Sequence, residues 1–280
     1  MTRMQRRTMI NRIILILSGL AGVIGLAMLL WIVGDVAIKG APALNWSFFT
    51  ELPAPPGMDE GGLANAIVGT LIMTLAATLM AVPFGVFAGT WLSEFGRDSR
   101  LGESVRYVSD ILVSAPSIVI GMFVYIVMVK TMGHFSGWAG AVALAIIMLP
   151  VVSRTTEEML KLVPHELREA ALALGAPYWK IMPQVIYRAA ISGMITGIML
   201  AVARVAGETA PLLFTALNSP YWAHSMNEPM GNLTVTLFNY AMSPYDDWHE
   251  KAWGAAFLIT LAVLSVTIIT RLMLRKRSKH

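Results

Sequence analysis

Two ionisable residues four positions apart, Arg204 and Glu208, lie in an otherwise apolar stretch from Ile191 to Leu217. A guanidinium and a carboxylate at that spacing meet on one helix face and can pair. The same guanidinium, with paired donors in a fixed fork, can instead grip an oxyanion. The residues alone leave both readings open: a structural pair locking two helices, or a site that an anion passes. The stretch is long enough to cross a bilayer, which takes roughly 20 helical residues. A charge at membrane depth costs about 2.5–3.5 kcal/mol, and each Leu, Ile, Val or Phe returns only about 0.3–0.6. Nine such residues from Ile191 to Phe214 supply roughly 3–5 kcal/mol against about 5–7 for the two charges. The segment is therefore expected to be buried among other helices.

The helical wheel adds a direction. At about 100° per residue, Gly193, Gly197, Ala201, Arg204 and Glu208 fall within roughly 80°. Small residues every four positions admit a close neighbour, so the charges are expected to face protein or a cavity. Pro211 shares that face and predicts a kink beside them. Ionisable residues at membrane depth mark transport paths by default.

Little else in the chain offers chemistry. There is no cysteine, which removes disulfides, thiolate metal sites and thiol nucleophiles. The five histidines match no ligand spacing, and His165-Glu166-Leu167-Arg168-Glu169 lacks the second histidine of a zinc-protease helix. Asp246 and Asp247 sit side by side after a Pro-Tyr turn, as solvated or helix-capping acids do. No Gly-x-x-x-x-Gly-Lys-Ser/Thr loop occurs, so the chain has no such means of holding ATP.

The elements that must position Arg204 and Glu208 are apolar spans. The chain of 280 residues is 56% hydrophobic and 14% charged, with mean hydropathy +0.64, which excludes a soluble globular domain. The reading is an all-α polytopic membrane protein with six transmembrane helices. After residues 1–12, spans are expected at 13–33, 63–92, 111–129, 138–152, 191–217 and 252–273, with a tail at 274–280. Thr70, Thr74 and Thr78 stack on one face of the second span, bonded to backbone or neighbouring helix, or lining a cavity. Ser114-Ala115-Pro116-Ser117 predicts a broken start to the third. The loop 35–62 carries Trp46, Phe48 and Phe49, read as interfacial anchors.

Charge sets the expected orientation. Seventeen Lys and Arg flank the spans on one side and Lys39, Lys130 and Lys251 on the other. Such a bias places both termini and the 154–190 loop in the cytoplasm. A net charge of +4 so distributed reflects topology, and no nucleic-acid partner is expected. Within the 154–190 loop, Pro164 and Gly175 bracket a short helix whose Leu167, Ala171 and Leu174 share a face. It is shaped for a partner's groove or for the lipid surface.

Glu169-Ala170-Ala171-Leu172-Ala173-Leu174-Gly175 resembles the EAA loop of binding-protein-dependent ABC importer permeases. The family's later Ile-x-Leu-Pro is replaced by Val185-Ile186-Tyr187-Arg188, so only Glu169, Ala170, Ala171 and Gly175 carry over. Ala203-Arg204-Val205-Ala206-Gly207-Glu208-Thr209-Ala210-Pro211, Asn232-Leu233 and Phe238-Asn239-Tyr240-Ala241 resemble the phosphate-specific branch. The resemblance implies a type I ABC importer permease (MetI-like) core over 63–273, with a cytoplasmic coupling helix. It implies a homologous second permease, a cytoplasmic ATPase pair and a periplasmic phosphate-binding protein as partners. ATP and Mg2+ would belong to the ATPase, and this chain would hold no cofactor. Arg204 and Glu208 would lie on the substrate path; an importer of another oxyanion, such as sulfate or molybdate, is the nearest alternative.

Overall fold

A computed structural model describes residues 3–58 and 61–277, and the regular elements among them are all helical. We number the helices α1 (Arg3–Gly40), α2 (Trp46–Thr50), α3 (Ala64–Glu94), α4 (Arg100–Ser114), α5 (Ser117–Met132) and α6 (Gly137–Lys161). There follow α7 (His165–Ala173), α8 (Tyr178–Ala206), α9 (Ala210–Thr215), α10 (Leu233–Ala241) and α11 (Asp246–Arg277). Five of these, α1, α3, α6, α8 and α11, are long and apolar enough to cross a membrane, and a bent α4–α5 pair makes a sixth.

The bundle is organised on α3 and α6. Gly69, Met73, Ala77, Ala81, Gly85 and Gly89 recur every four residues along α3 and are all buried. Small residues at that period let backbones approach closely. A Cβ on Gly85 would lie 2.8 Å from Val152 Cβ, and one on Gly89 only 2.3 Å from the Ser153 carbonyl. Leu144, Met148 and Val152 of α6 fill the space between, joined by Ala201 and Val205 of α8 and Leu212 of α9. The small-residue stripe of α8 works the same way: Cβ atoms on Gly193 and Gly197 would collide with Met159 and Thr155 of α6. By contrast α1 buries only its last residue, Gly40, which fits against Trp253 and Phe257 of α11.

Several sequence expectations are corrected. The stretch 93–110, left between the expected second and third spans, is largely the amphipathic helix α4, started by Ser99 Oγ accepting from Gly102 N at 2.9 Å. Arg106 fastens it to the bundle through Glu157 Oε1 at 2.7 Å and the Leu92 carbonyl at 3.0 Å. The break expected at Ser114-Ala115-Pro116-Ser117 is present as a 103° bend between α4 and α5. The fourth span does not end at 152: Pro150 is accommodated inside α6, which continues to Lys161. The 218–251 loop contains α10, capped by Asn232 Oδ1 accepting from Val235 N at 2.9 Å. Phe48 is no interfacial anchor. It is buried against Leu63, Ala66 and Ala255, where Gly254 makes room for its ring, while Trp46 is exposed. Asp246 and Asp247 open α11, and Asp247 Oδ2 accepts from Gly57 N at 3.1 Å. Of the 274–280 tail, residues 278–280 lie outside the described residues.

Candidate substrate site and coupling helix

The fifth span begins thirteen residues earlier than expected and stops eleven short, as α8 runs from Tyr178 to Ala206. The expected helix through Leu217 is broken between the two charges, not kinked beside them. The cause is local. In a continuous helix Pro211 would owe a hydrogen bond to the Gly207 carbonyl, and its ring would strike that carbonyl. Gly207 is itself a weak helix residue. The chain turns there, with Gly207 N and Glu208 N donating to the Arg204 and Val205 carbonyls at 3.2 Å each. It restarts as α9 with Pro211 in the first turn, where the missing N–H costs nothing. Close packing fixes the restart: a Cβ on Gly121 of α5 would come within 2.6 Å of Pro211 Cα.

Arg204 thus occupies the last turn of α8, where the helix dipole favours a cation. Glu208 lies just past the break. Its Oε1 is 3.8 Å from Arg204 Nε, and the two side chains are 16% and 47% exposed respectively. That separation exceeds the 2.7–2.9 Å typical of a charge-assisted hydrogen bond. Apart from this contact, Arg204 makes no hydrogen bond among the described residues. Glu208 is positioned by its backbone, whose carbonyl accepts from the Thr234 hydroxyl at 2.9 Å. Thr234 is buried on α10, and Asn232 ties the start of that helix to the Leu217 carbonyl through Nδ2 at 3.1 Å. Neither residue is flagged by charge; the Asn-Leu-Thr order of a helix cap is the signal that could have found them.

The three threonines of α3 lie elsewhere. Thr70 donates to the Ala66 carbonyl at 2.8 Å and accepts from Leu233 N at 2.8 Å, so it braces α10. Thr78 donates to the Thr74 carbonyl at 2.7 Å. Thr70 and Thr74 line a cavity of about 330 Å³ whose other walls are apolar, among them Val202, Ala203 and Leu258. Arg204, Glu208 and Thr78 do not line it.

At the other end of α8, Pro164 precedes α7 at its cap position, bracketing the helix as expected. Gly175 follows with φ +76°, and its N–H closes on the Leu172 carbonyl at 2.9 Å. A left-handed residue just past a helix end is a position glycine fills without strain. Glu169 and Ala170 face outward, while Ala171 packs against a cluster that includes Leu160, Ile181 and Ile186. Leu174 is 88% exposed, so it does not share Ala171's inward face as the helical wheel suggested.

Residues 81–279 match the family described as binding-protein-dependent transport system inner membrane component. The phosphate transport system permease protein PstA of Yersinia pestis is 50% identical over 270 residues, covering 96% of this chain and 91% of that protein. The same-named protein of Haemophilus influenzae is 50% identical, covering 95% and 94%. A probable PstA from Methanocaldococcus jannaschii is 35% identical, again covering 95% and 94%. Among solved structures, the inward-facing MetNI methionine ABC transporter matches with TM-score 0.64 at 20% identity, over 76% of this chain and 95% of that one. A bacterial ABC transporter for import of alginate matches with TM-score 0.68 at 12% identity, over 97% and 99%. The family match over most of the chain and the near full-length likeness agree: the chain belongs to the family of binding-protein-dependent transport system inner membrane components.

Proposed function

We infer that this chain is the membrane permease subunit of an ATP-driven inorganic phosphate importer. The observation that carries the reading is the 50% identity to phosphate permeases across nearly the whole chain. A guanidinium with unspent donors beside a helix break supports it. The chain forms half of the path, a homologous PstC-type permease the other half. A pair of PstB-type ATPases, holding ATP and Mg2+, docks on α7 through the outward-facing Glu169 and Ala170 and the Gly175 turn, while Ala171 seats the helix on the bundle. A periplasmic PstS-type protein delivers phosphate. The complex sits in the bacterial inner membrane with both termini of this chain cytoplasmic, a reading the Lys and Arg distribution supports.

Arg204 neutralises the anion in transit. Glu208 pairs loosely with Arg204 when the path is empty and accepts a hydrogen bond from the hydroxyl that phosphate retains at neutral pH. Sulfate has no such hydroxyl, so the carboxylate repels it. One cation rather than a cluster keeps binding weak enough for release. The test is uptake of radiolabelled phosphate by proteoliposomes carrying the whole complex. Arg204→Gln should abolish uptake while all subunits co-purify, and excess sulfate should not compete. Normal uptake by the variant overturns the role of Arg204; equal competition by sulfate overturns phosphate as the substrate.

A further inference from the structure

Beneath the outward face of α7 lies a second charged pair, more buried than the first. Arg168 Nη2 is 2.9 Å from Glu94 Oε1, with side chains 12% and 2% exposed. Glu94 is the last residue of α3. The same Nη2 donates to the Leu160 carbonyl at 2.8 Å, in the last turn of α6. The other oxygen of Glu94 accepts from the Tyr178 hydroxyl at 2.6 Å, at the first residue of α8. Ser93 Oγ donates to Glu94 Oε1 at 3.1 Å. Phe95 meets the Tyr178 ring edge-on at 5.8 Å between centroids. One carboxylate thereby joins α3 to α7 and α8, and one guanidinium joins α7 to α6.

The arrangement contrasts with the rest of α7, which touches the bundle through the small side chain of Ala171. Beside it an open cleft of about 640 Å³ separates α7 from the 95–99 turn and is lined by Arg97, His165 and Glu169. Short connections already tie α7 to α6 and α8; the charged pair adds the tie to the end of α3 across that cleft. Breaking a buried pair is costly because the remaining charge is left uncompensated, which makes such a contact resist sliding.

We propose that Arg168, Glu94 and Tyr178 are positioning residues that clamp α7 to the ends of α3, α6 and α8, so that displacement of α7 by the ATPase moves all three. The proposal rests on the reading of α7 as the ATPase-docking helix. A load-transmitting role and a merely structural one differ in what they do to uptake per ATP. The whole complex in proteoliposomes gives both quantities, together with the ATPase content of the purified complex. Arg168→Ala should leave the ATPase bound at its native ratio and lower phosphate uptake per ATP by about ten-fold, the scale of one lost charged hydrogen bond. Tyr178→Phe, which removes one bond and no charge, should lower it by about three-fold. Arg168→Lys should recover most of the loss, because a single nitrogen makes both contacts of Arg168.

A native uptake-to-hydrolysis ratio in Arg168→Ala overturns the proposal. If that variant does not accumulate, a native ratio in Tyr178→Phe overturns it. Loss of the ATPase from the purified variant also overturns it, since the cluster would then be part of the docking surface. An unsubstituted complex that holds no ATPase or takes up no phosphate sinks the functional reading itself, independently of the clamp.

Discussion

Replacing Arg204 and Glu208 by glutamine, singly and together, separates a transport site from a structural lock. At 3.8 Å two unit charges attract by about 1 kcal/mol in water and about 4 kcal/mol at an effective dielectric of about 20. Three features favour the lower figure. Arg204 is 47% exposed, the distance is too long for a charge-assisted hydrogen bond, and no other group among the described residues holds the guanidinium in place. Pairs of this kind measure about 0.2–1 kcal/mol in double-mutant cycles. A loss of about 1 kcal/mol moves the thermal midpoint of a domain this size by about 2–4 °C. The purified complex in detergent should therefore melt within a few degrees of native for all three variants, with coupling no larger than about 1 kcal/mol. Phosphate uptake by Arg204→Gln should fall on the order of a hundred-fold or more, since charged hydrogen bonds to an anion are worth about 1.5–3 kcal/mol each. A coupling above about 3 kcal/mol, as expected for a truly buried pair, with uptake falling only as far as assembly does, would refute the reasoning.

The packing of α3 on α6 makes its own prediction: Gly89→Val sets a Cβ 2.3 Å from the Ser153 carbonyl and should cost about 1–3 kcal/mol. Thermal melting checks it, with Gly19→Ala, which meets nothing within 4 Å, as the unchanged control. Thr234→Val deletes the donor to the Glu208 carbonyl at 2.9 Å and should slow phosphate uptake by about three- to ten-fold, the worth of one hydrogen bond. Thr234→Ser should restore it, and unimpaired uptake by the valine variant would show that the contact does not position Glu208. Because the chain has no cysteine, Gly207→Cys creates a single thiol whose Cβ has 3.6 Å of clearance from the Arg204 carbonyl. A small charged maleimide should label it in the intact complex but not Ala77→Cys, which is fully buried. No labelling of Gly207→Cys with or without ATP would place the break away from water.

The apolar runs and the Gly175 turn were legible because each depends on a few neighbouring residues. The adjacency of Arg204 and Glu208 was legible too, although for the wrong reason. A helical wheel puts them together through a regular turn, whereas the chain brings them together across a break. The signal for that break was present in the four-residue step from Gly207 to Pro211. Helix α4 was also in reach, through the Ser99 cap and the alternation of its polar and apolar faces. The burial of Phe48 was not, because it depends on Gly254, more than two hundred residues away. The contacts of Thr234 with Glu208 and of Arg168 with Glu94 were equally hidden. Each joins distant segments whose encounter depends on the packing of several helices.

The break at Gly207 and the charges on either side of it are one physical problem with one solution. Ending α8 at Ala206 leaves the carbonyls of its last turn without continuing helical partners, a serious cost in hydrocarbon. Irregular backbone at membrane depth is tolerated where it is buried in protein or lines a water-filled cavity. Part of the requirement is met by protein: Thr234 satisfies the Glu208 carbonyl, and Gly121 lets α5 close over Pro211. Arg204 remains half exposed, with its donors unspent. A guanidinium in that state is stable at membrane depth only if water, an anion or a polar group of another chain reaches it. The broken span, the loose pair and the short restart α9 are therefore parts of one arrangement, and the face of Arg204 that they leave uncovered is where a polar neighbour must lie.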